Sequence, residues 1–283
     1  MSEVWTVGRV LTWTTDFFKQ KGLESARLDA EVLLAHVLNK KRIELYTGFD
    51  LPLAEQELTS YRELVKRRAK AEPVAYLIGT QGFFDIELKV DKRVLIPRPE
   101  TELLTELAVK QCKRDGVVLD VGTGSGAILL SVLNGRPDLR GVATDVSQDA
   151  LDVARENASR LGLLDRIEWR LGPLFQPVQG RRFAAILSNP PYVAHSDALP
   201  ADVAEYEPHV ALFAPEQGLS VLLALMQQAG TMLEADGFVA LECGKGQAET
   251  VAEAAKQAGF AEVQCHRDLA DILRVVEAKR WMH

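Results

Sequence analysis

A short apolar run, VVLDV at 117–121, leads into Asp120-Val-Gly-Thr-Gly-Ser-Gly126 and then directly into the apolar helical stretch AILLSVL. A strand, a glycine turn and a helix in immediate succession leave few architectures open, because such a unit is built to feed a parallel sheet covered by helices. Gly122, Gly124 and Gly126, with Thr123 and Ser125 between them, let the backbone turn tightly and approach a ligand closely. Their spacing is G-x-G-x-G and not the G-x-G-x-x-G of dinucleotide binders, which suits a ligand without a pyrophosphate. Taken alone, the glycines fit a tight turn equally well.

The downstream chain repeats the strand and helix alternation. GVATDV (141–146), RIEWRL (166–171), FAAILSN (183–189) and GFVALEC (237–243) read as further strands, with amphipathic helices between most of them, so the class is α/β with a mostly parallel sheet. The terminal runs AEVQCHRD and ILRVVEAKR predict a closing antiparallel pair. Upstream, Val7, Val10 and Leu11, then Leu28, Val32, Leu33, Ala35 and Val37, recur at helical spacing. Residues 1–75 are therefore expected to form a small helical-bundle domain closed by Pro73. GTQGFFDIELKV, within 76–96, alternates like a linking β-hairpin, and 97–283 forms the α/β domain, whose first helix starts at Pro99.

Charge narrows the partners. Forty acidic against 33 basic residues give a net charge of −7, which speaks against the broad basic face of a DNA binder. The cluster Lys66, Arg67, Arg68 and Lys70 fits a solvated helix face. Cys112, Cys243 and Cys265 have no metal-ligand spacing and are expected to be buried thiols in a reducing compartment. No apolar run is long enough to span a bilayer, and the N-terminus lacks a signal pattern, so a cytoplasmic protein that neither spans nor binds a membrane is expected. Histidines 36, 195, 209, 266 and 283 receive no catalytic role, and His195 is expected in a solvated loop.

Two further features carry chemistry. Asp145 ends the strand after the glycine loop, where a carboxylate accepts both hydroxyls of a ribose; the competing reading makes it the N-cap of QDALDVAREN. Asn189-Pro190-Pro191-Tyr192 follows the fourth strand of the sheet, at the carboxyl end where open α/β sheets bind ligands. The prolines stiffen the backbone. The Asn189 side-chain carbonyl and the Pro190 carbonyl then present acceptors for both N–H bonds of a planar amide or amine, and Tyr192 offers a stacking face. An ordinary Pro-rich turn is the alternative for this tetrapeptide.

Together, D-x-G-x-G-x-G and a downstream N-P-P-Y resemble the amino-group methyltransferases that act on adenine, cytosine and protein glutamine. More specifically, EPVAYLIGTQGFFDIELKVDKRVLIPRPETELL (72–104) resembles the corresponding segment of the release factor glutamine methyltransferases, the PrmC or HemK family. So do SARLDAEVLLAHVL (25–38), EYEPHVALFAPEQGL (205–219) and LECGKGQ (241–247). The string Arg98 to Glu102 favours this branch over the ribosomal-protein glutamine methyltransferases, which share N-P-P-Y. The resemblance implies a Rossmann-like class I S-adenosylmethionine methyltransferase with an N-terminal docking domain. It implies that Gly122 to Gly126, Asp145 and Asn189 hold S-adenosylmethionine, and that Asn189, Pro190, Pro191 and Tyr192 hold the glutamine of a release factor's Gly-Gly-Gln loop. Asn189, Pro190 and Tyr192 would be catalytic, with Pro97, Arg98, Glu100, Glu205 and Pro208 walling the cleft and no metal needed. The chain departs from the family at Gly172-Pro173-Leu174-Phe175, where relatives often carry an acid, leaving Leu174 as an apolar adenine wall. An adenine-specific nucleic-acid methyltransferase and a non-catalytic binding module remain as alternatives.

Overall fold

Helical spacing near the N-terminus becomes five helices in a computed structural model that describes residues 4–279. They are α1 (Val7–Gln20), α2 (Ala26–Val37), α3 (Arg42–Thr47), α4 (Glu55–Arg68) and α5 (Val74–Ile78). The chain divides into two units, and the smaller contains these helices up to Gly79 together with Pro200–Tyr206. Leu11, Phe18, Leu33, Leu34 and Tyr61 fill its core, each side chain contributing about 1.5–3 kcal/mol on burial. Leu28, expected on the buried face, is 45% exposed. A buried ion pair, Arg68 to Asp29 at 2.7 Å, ties α4 to α2. Pro73 does not end the helical part. It precedes α5 as its N-cap, a position where proline's missing N–H costs nothing, and Gly79 in the left-handed conformation stops the helix.

The larger unit begins with the hairpin β1 (Thr80–Phe83) and β2 (Ile86–Lys89), paired antiparallel from Thr80↔Lys89 to Phe83↔Ile86. Phe83, Ile86 and Leu88 are buried in the same apolar cluster as the central sheet, so the hairpin is part of that unit's core. A single 3-10 turn at Pro99–Thr101 starts α6 (Glu102–Gln111). The sheet is then laid down by β3 (Val117–Val121), α7 (Ala127–Gly135), β4 (Arg140–Asp145), α8 (Gln148–Arg160), β5 (Ile167–Leu171) and β6 (Phe183–Ser188). After α9 (Ala201–Tyr206), which belongs to the smaller unit, come α10 (Ser220–Met232), β7 (Leu233–Glu242), α11 (Ala248–Gln257), β8 (Glu262–Arg267) and β9 (Leu273–Lys279).

Strand order is β5-β4-β3-β6-β7-β9-β8. The first five are parallel, whereas β9 runs antiparallel to both β7 and β8, as the terminal apolar runs predict. Every residue of β6 is buried, the mark of a strand with helices on both faces. Neighbouring β6 side chains serve opposite faces: Leu187 packs with Ile128 and Leu129 of α7, and Ile186 with Leu222 and Met226 of α10. Cys112 and Cys243 are buried, but Cys265 is exposed, because β8 is the outermost strand. The chain proceeds from β3 outward through β4 and β5, then returns to the other side of β3 with β6. The carboxyl ends of β3 and β6 therefore flank the switch point of the sheet, where crevices form in such folds. No helix among the described residues is long and apolar enough to cross a membrane.

Candidate active site

The glycine loop leaves β3 at that switch point. Both the Gly122 and the Thr123 N–H donate to the Thr144 carbonyl at 2.9 Å, pinning the turn to β4. Gly122 and Gly124 have φ of 73° and 55°, and a Cβ on either would meet no atom within 4 Å, so these two leave open space beside the backbone. Gly126 differs: a Cβ there would sit 2.8 Å from a Leu130 methyl, so this glycine serves the close packing of α7. Thr123 donates its hydroxyl to Asp120 at 2.7 Å. Asp120 is fully buried, and that burial pushes its carboxyl up to about 7, with the charge of Asp145 adding to the rise.

Asp145 sits at the end of β4 with one carboxyl oxygen accepting from the Gly124 N–H at 3.0 Å and the other from the Ser147 N–H at 2.9 Å. Burial raises its pKa, and these backbone donors counteract the rise. It does not cap α8. Ser147 is the N-cap, its hydroxyl accepting from the Ala150 N–H at 3.2 Å. That leaves the Asp145 carboxyl tied to the glycine loop and on the lining of the adjoining cavity.

Gly122 to Ser125 and Asp145 line one side of a cavity of about 440 Å³. Val146 and Leu174 form apolar wall, and Asn189, Pro190 and Pro191 lie on its lining together with Thr101, Pro97 and Pro208. Leu174 takes a left-handed φ of 47° in the turn after Gly172, whose N–H donates to the Asp145 carbonyl. The residues suit S-adenosylmethionine: the volume is that of a small-molecule site, open backbone lies beside an acid able to accept hydroxyls, and apolar wall is available for a base. No histidine lines this cavity among the described residues; His195 is exposed and stacks on Phe213 at 5.1 Å between ring centres. His283 lies outside the described residues.

The tetrapeptide after β6 is held from several directions. Ser188 donates to the Val121 carbonyl at 2.6 Å, joining β6 to the start of the glycine loop. Asn189 Nδ2 donates to the Thr101 hydroxyl at 3.0 Å. Tyr192 is not among the lining residues; its ring packs against the cluster beneath α10 and its hydroxyl donates to Glu242 Oε1 at 3.2 Å. The stacking face expected of Tyr192 is thus used for packing, since a phenol beside a buried carboxylate gains more from that bond than from an open cavity. Gln247 Nε2 donates to the Tyr192 carbonyl at 3.0 Å and to the Gln217 carbonyl at 3.1 Å. A Cβ on Gly218 would come within 2.0 Å of the Tyr192 carbonyl oxygen. Arg98 pairs with buried Glu207 at 2.6 Å, while Glu100 is exposed.

Motif reading missed four supporting residues: Thr101, Asn157, Glu242 and Gln247. Asn157 is the most legible of them in retrospect, a polar residue on the buried Val153, Ala154, Ala158 face of α8. Its amide donates to the carbonyls of Ser125 and Lys89 and accepts from the Lys89 N–H, clamping the glycine loop to the hairpin. Its signal was a polar side chain where the helical period calls for an apolar one.

Known proteins match both parts of the chain. Residues 9–79 match the family model described as PrmC N-terminal domain, and residues 99–205 match that of the methyltransferase small domain. A release factor glutamine methyltransferase of Rhodopirellula baltica is 41% identical, with 98% of this chain and 97% of that one aligned. Another, of Geobacter sulfurreducens, is 40% identical over 97% and 96% of the two chains. Among solved structures, a methyltransferase from Pyrococcus furiosus shares the fold with a TM-score of 0.53 at 18% identity, covering 70% of this chain and 90% of its own. With such identity sustained over nearly the full length of both chains, this protein belongs to the release factor glutamine methyltransferase family.

Proposed function

We propose that the protein transfers a methyl group from S-adenosylmethionine to the side-chain amide nitrogen of the glutamine in the Gly-Gly-Gln loop of class I peptide chain release factors. The observation that carries this reading is the pairing, across one cavity, of an acid-tethered glycine loop with the Asn189-Pro190-Pro191 segment. S-adenosylmethionine supplies a methyl already made electrophilic by positive sulfur. Asp145 would accept the ribose hydroxyls, Gly122 to Ser125 would give close backbone approach, and Val146 and Leu174 would offer apolar contact to the adenine.

An amide nitrogen is a weak nucleophile because its lone pair is shared with the carbonyl. Asn189 Oδ1 and the Pro190 carbonyl accept its two N–H bonds, hold the plane of the amide, and oppose the positive charge that develops as the new C–N bond forms and the C–S bond breaks. One amide proton then leaves to water, and no side chain need act as a strong base. Asn189, on the lining of the cavity, would contact both ligands. The negative net charge of −7 favours a protein substrate over nucleic acid. We assign docking of the release factor to the helical unit, chemistry to the larger unit, and the cytoplasm as the compartment.

The test is incubation with labelled S-adenosylmethionine and purified release factors, wild type and with the loop glutamine replaced, followed by mapping of the label by mass spectrometry. Label on that glutamine, absent from the replaced substrate, is the expected result. Label on a ribosomal protein or nucleic acid instead, with the release factors unmodified, refutes the reading.

A further inference from the structure

At the carboxyl ends of β6 and β7, three separate stretches of chain converge on one side-chain amide. Gln247 Nε2 donates to the Tyr192 carbonyl at 3.0 Å and to the Gln217 carbonyl at 3.1 Å, and its Oε1 accepts from the Gly244 N–H at 2.8 Å. A carbonyl only accepts and a backbone N–H only donates, so these partners admit a single orientation of the carboxamide. Gln247 immediately precedes α11, whose Ala248 and Val251 are fully buried, so its own backbone is anchored in the core. The string LECGKGQ ends on this residue, yet it takes no part in the chemistry assigned to the cavity.

The approach of the three stretches is close enough to dictate residue type. A Cβ on Gly218 would stand 2.0 Å from the Tyr192 carbonyl oxygen and 2.9 Å from Gln247 Nε2. The turn pressed onto Tyr192 has three successive residues at positive φ: Glu216 at 54°, Gln217 at 57° and Gly218 at 82°. Residues with a side chain adopt that conformation rarely, and it persists where surrounding contacts hold it. The bond from Gln247 to the Gln217 carbonyl is such a contact.

The neighbouring chain shows what is being held. Ser188 is fixed at one end by its bond to the Val121 carbonyl at 2.6 Å, and Tyr192 at the other by Gln247. Between these anchors lie only Asn189, Pro190 and Pro191, and proline fixes φ at two of the three. The Tyr192 hydroxyl bond to Glu242 holds the ring, whereas the carbonyl bond to Gln247 holds the peptide plane. Asn189, Pro190 and Pro191 line the cavity, and Gln247 does not.

We propose that Gln247 is a positioning residue for methyl transfer: by fixing the Tyr192 end of the segment it sets where the Asn189 and Pro190 acceptors stand toward the substrate amide. This rests on the methyl-transfer reading above. Gln247 makes no contact with the reacting groups and acts only through the backbone it holds.

The experiment measures single-turnover methyl transfer to a release factor, cofactor Kd and Tm for the wild type, Q247A, Q247E, N189A and the double variant Q247A/N189A. Q247A should lose about 10- to 100-fold in rate with cofactor Kd nearly unchanged, because a displacement of about 1 Å in a positioning group suffices for that. Q247E keeps the side-chain size and the acceptor for Gly244 but turns a carboxylate oxygen on two carbonyls, so it should lose at least as much. A role confined to packing would leave Q247E at the wild-type rate. Since Gln247 acts through the Asn189 segment, the losses should not multiply, and Q247A should cost much less in the N189A background than in the wild type. Wild-type rate in both Q247A and Q247E overturns the inference, as do losses that multiply in the double variant or are matched by loss of cofactor binding. Should Q247A not fold, the near-isosteric Q247E decides, alone and combined with N189A. A wild type that labels no release factor glutamine refutes the functional reading instead, and the clamp is then read from hydrogen exchange at the Val193 and Gly218 amides, which donate to the Leu212 and Pro215 carbonyls. These should exchange faster in Q247A than in the wild type while the amides of β6 stay protected; equal exchange in the two overturns the clamp.

Discussion

Replacing Asn189 by alanine separates chemistry from folding. In the folded protein the side chain makes one hydrogen bond, to Thr101 at 3.0 Å, in a partly buried setting. Its loss should cost about 1 kcal/mol of stability, a fall in Tm of about 2–4 °C for a unit of this size. The chemical cost is larger. Removing one preorganised partner of the charge that develops in a transition state typically costs a factor of about 10²–10³, or about 2.7–4 kcal/mol. In the proposed reading the glycine loop and Asp145, which the substitution leaves in place, hold the cofactor, so the loss should fall on kcat far more than on cofactor Kd. The assay is single-turnover methyl transfer to a release factor under saturating cofactor, beside calorimetric titration of S-adenosylmethionine and a thermal melt. Turnover within a few-fold of wild type would refute the proposed role of Asn189, as would a melt showing a unit that no longer folds.

Three further outcomes follow from the geometry. Asp145→Asn keeps an acceptor for one backbone N–H but removes the charge, and should weaken S-adenosylmethionine binding by about 10- to 100-fold, read by calorimetry, with little change in Tm. Gly218→Ala places a Cβ 2.0 Å from the Tyr192 carbonyl oxygen at a φ of +82°, so it should lower stability by about 1–3 kcal/mol and depress kcat by shifting the loop after β6; an unaltered melt would show that the loop relaxes freely. Asp120 is raised from 3.8 to about 7 by burial, so the folded state holds its proton more tightly than the unfolded chain. Its contribution to stability is then fully present below about pH 4 and is lost as pH rises through about 7. Asp120→Asn, which retains an acceptor for Thr123, should flatten the fall in Tm across that window, and an unchanged slope would remove Asp120 as its source.

Reading along the chain located the parts of the site that are local in sequence. VVLDV is β3 residue for residue, and the other sheet strands lie within the expected runs except that β4 starts one residue earlier, at Arg140, and β7 extends at its start to Leu233. The glycine loop, Asp145 and the Asn-Pro-Pro segment were legible because each is a short stretch whose backbone demands, free positive φ, a strand end, a stiffened turn, are written in neighbouring residues. The limits are equally physical. An aromatic beside a ligand loop has the capacity to stack, and nothing near Tyr192 in sequence announces that Glu242 claims its hydroxyl. Pro73 predicts a helix end because proline both ends and begins helices, and the flanking residues alone do not separate the two uses; in the structure it begins α5.

Local order thus specified the α/β class, the antiparallel closing pair and the chemistry-bearing motifs, since periodicity and turn preferences act over a few residues. Folding in three dimensions supplied the rest. Asn189 meets Thr101 from 88 residues away, Gln247 reaches Tyr192 across 55, and Asn157 reaches Lys89 across 68. None of these pairs is encoded by spacing, because a side chain's hydrogen-bonding partner is set by which strands become neighbours and by the need to satisfy polar groups once they are buried. The motifs name the candidate groups, and buried polar contacts between distant residues, such as Asn189 to Thr101, decide which way those groups face.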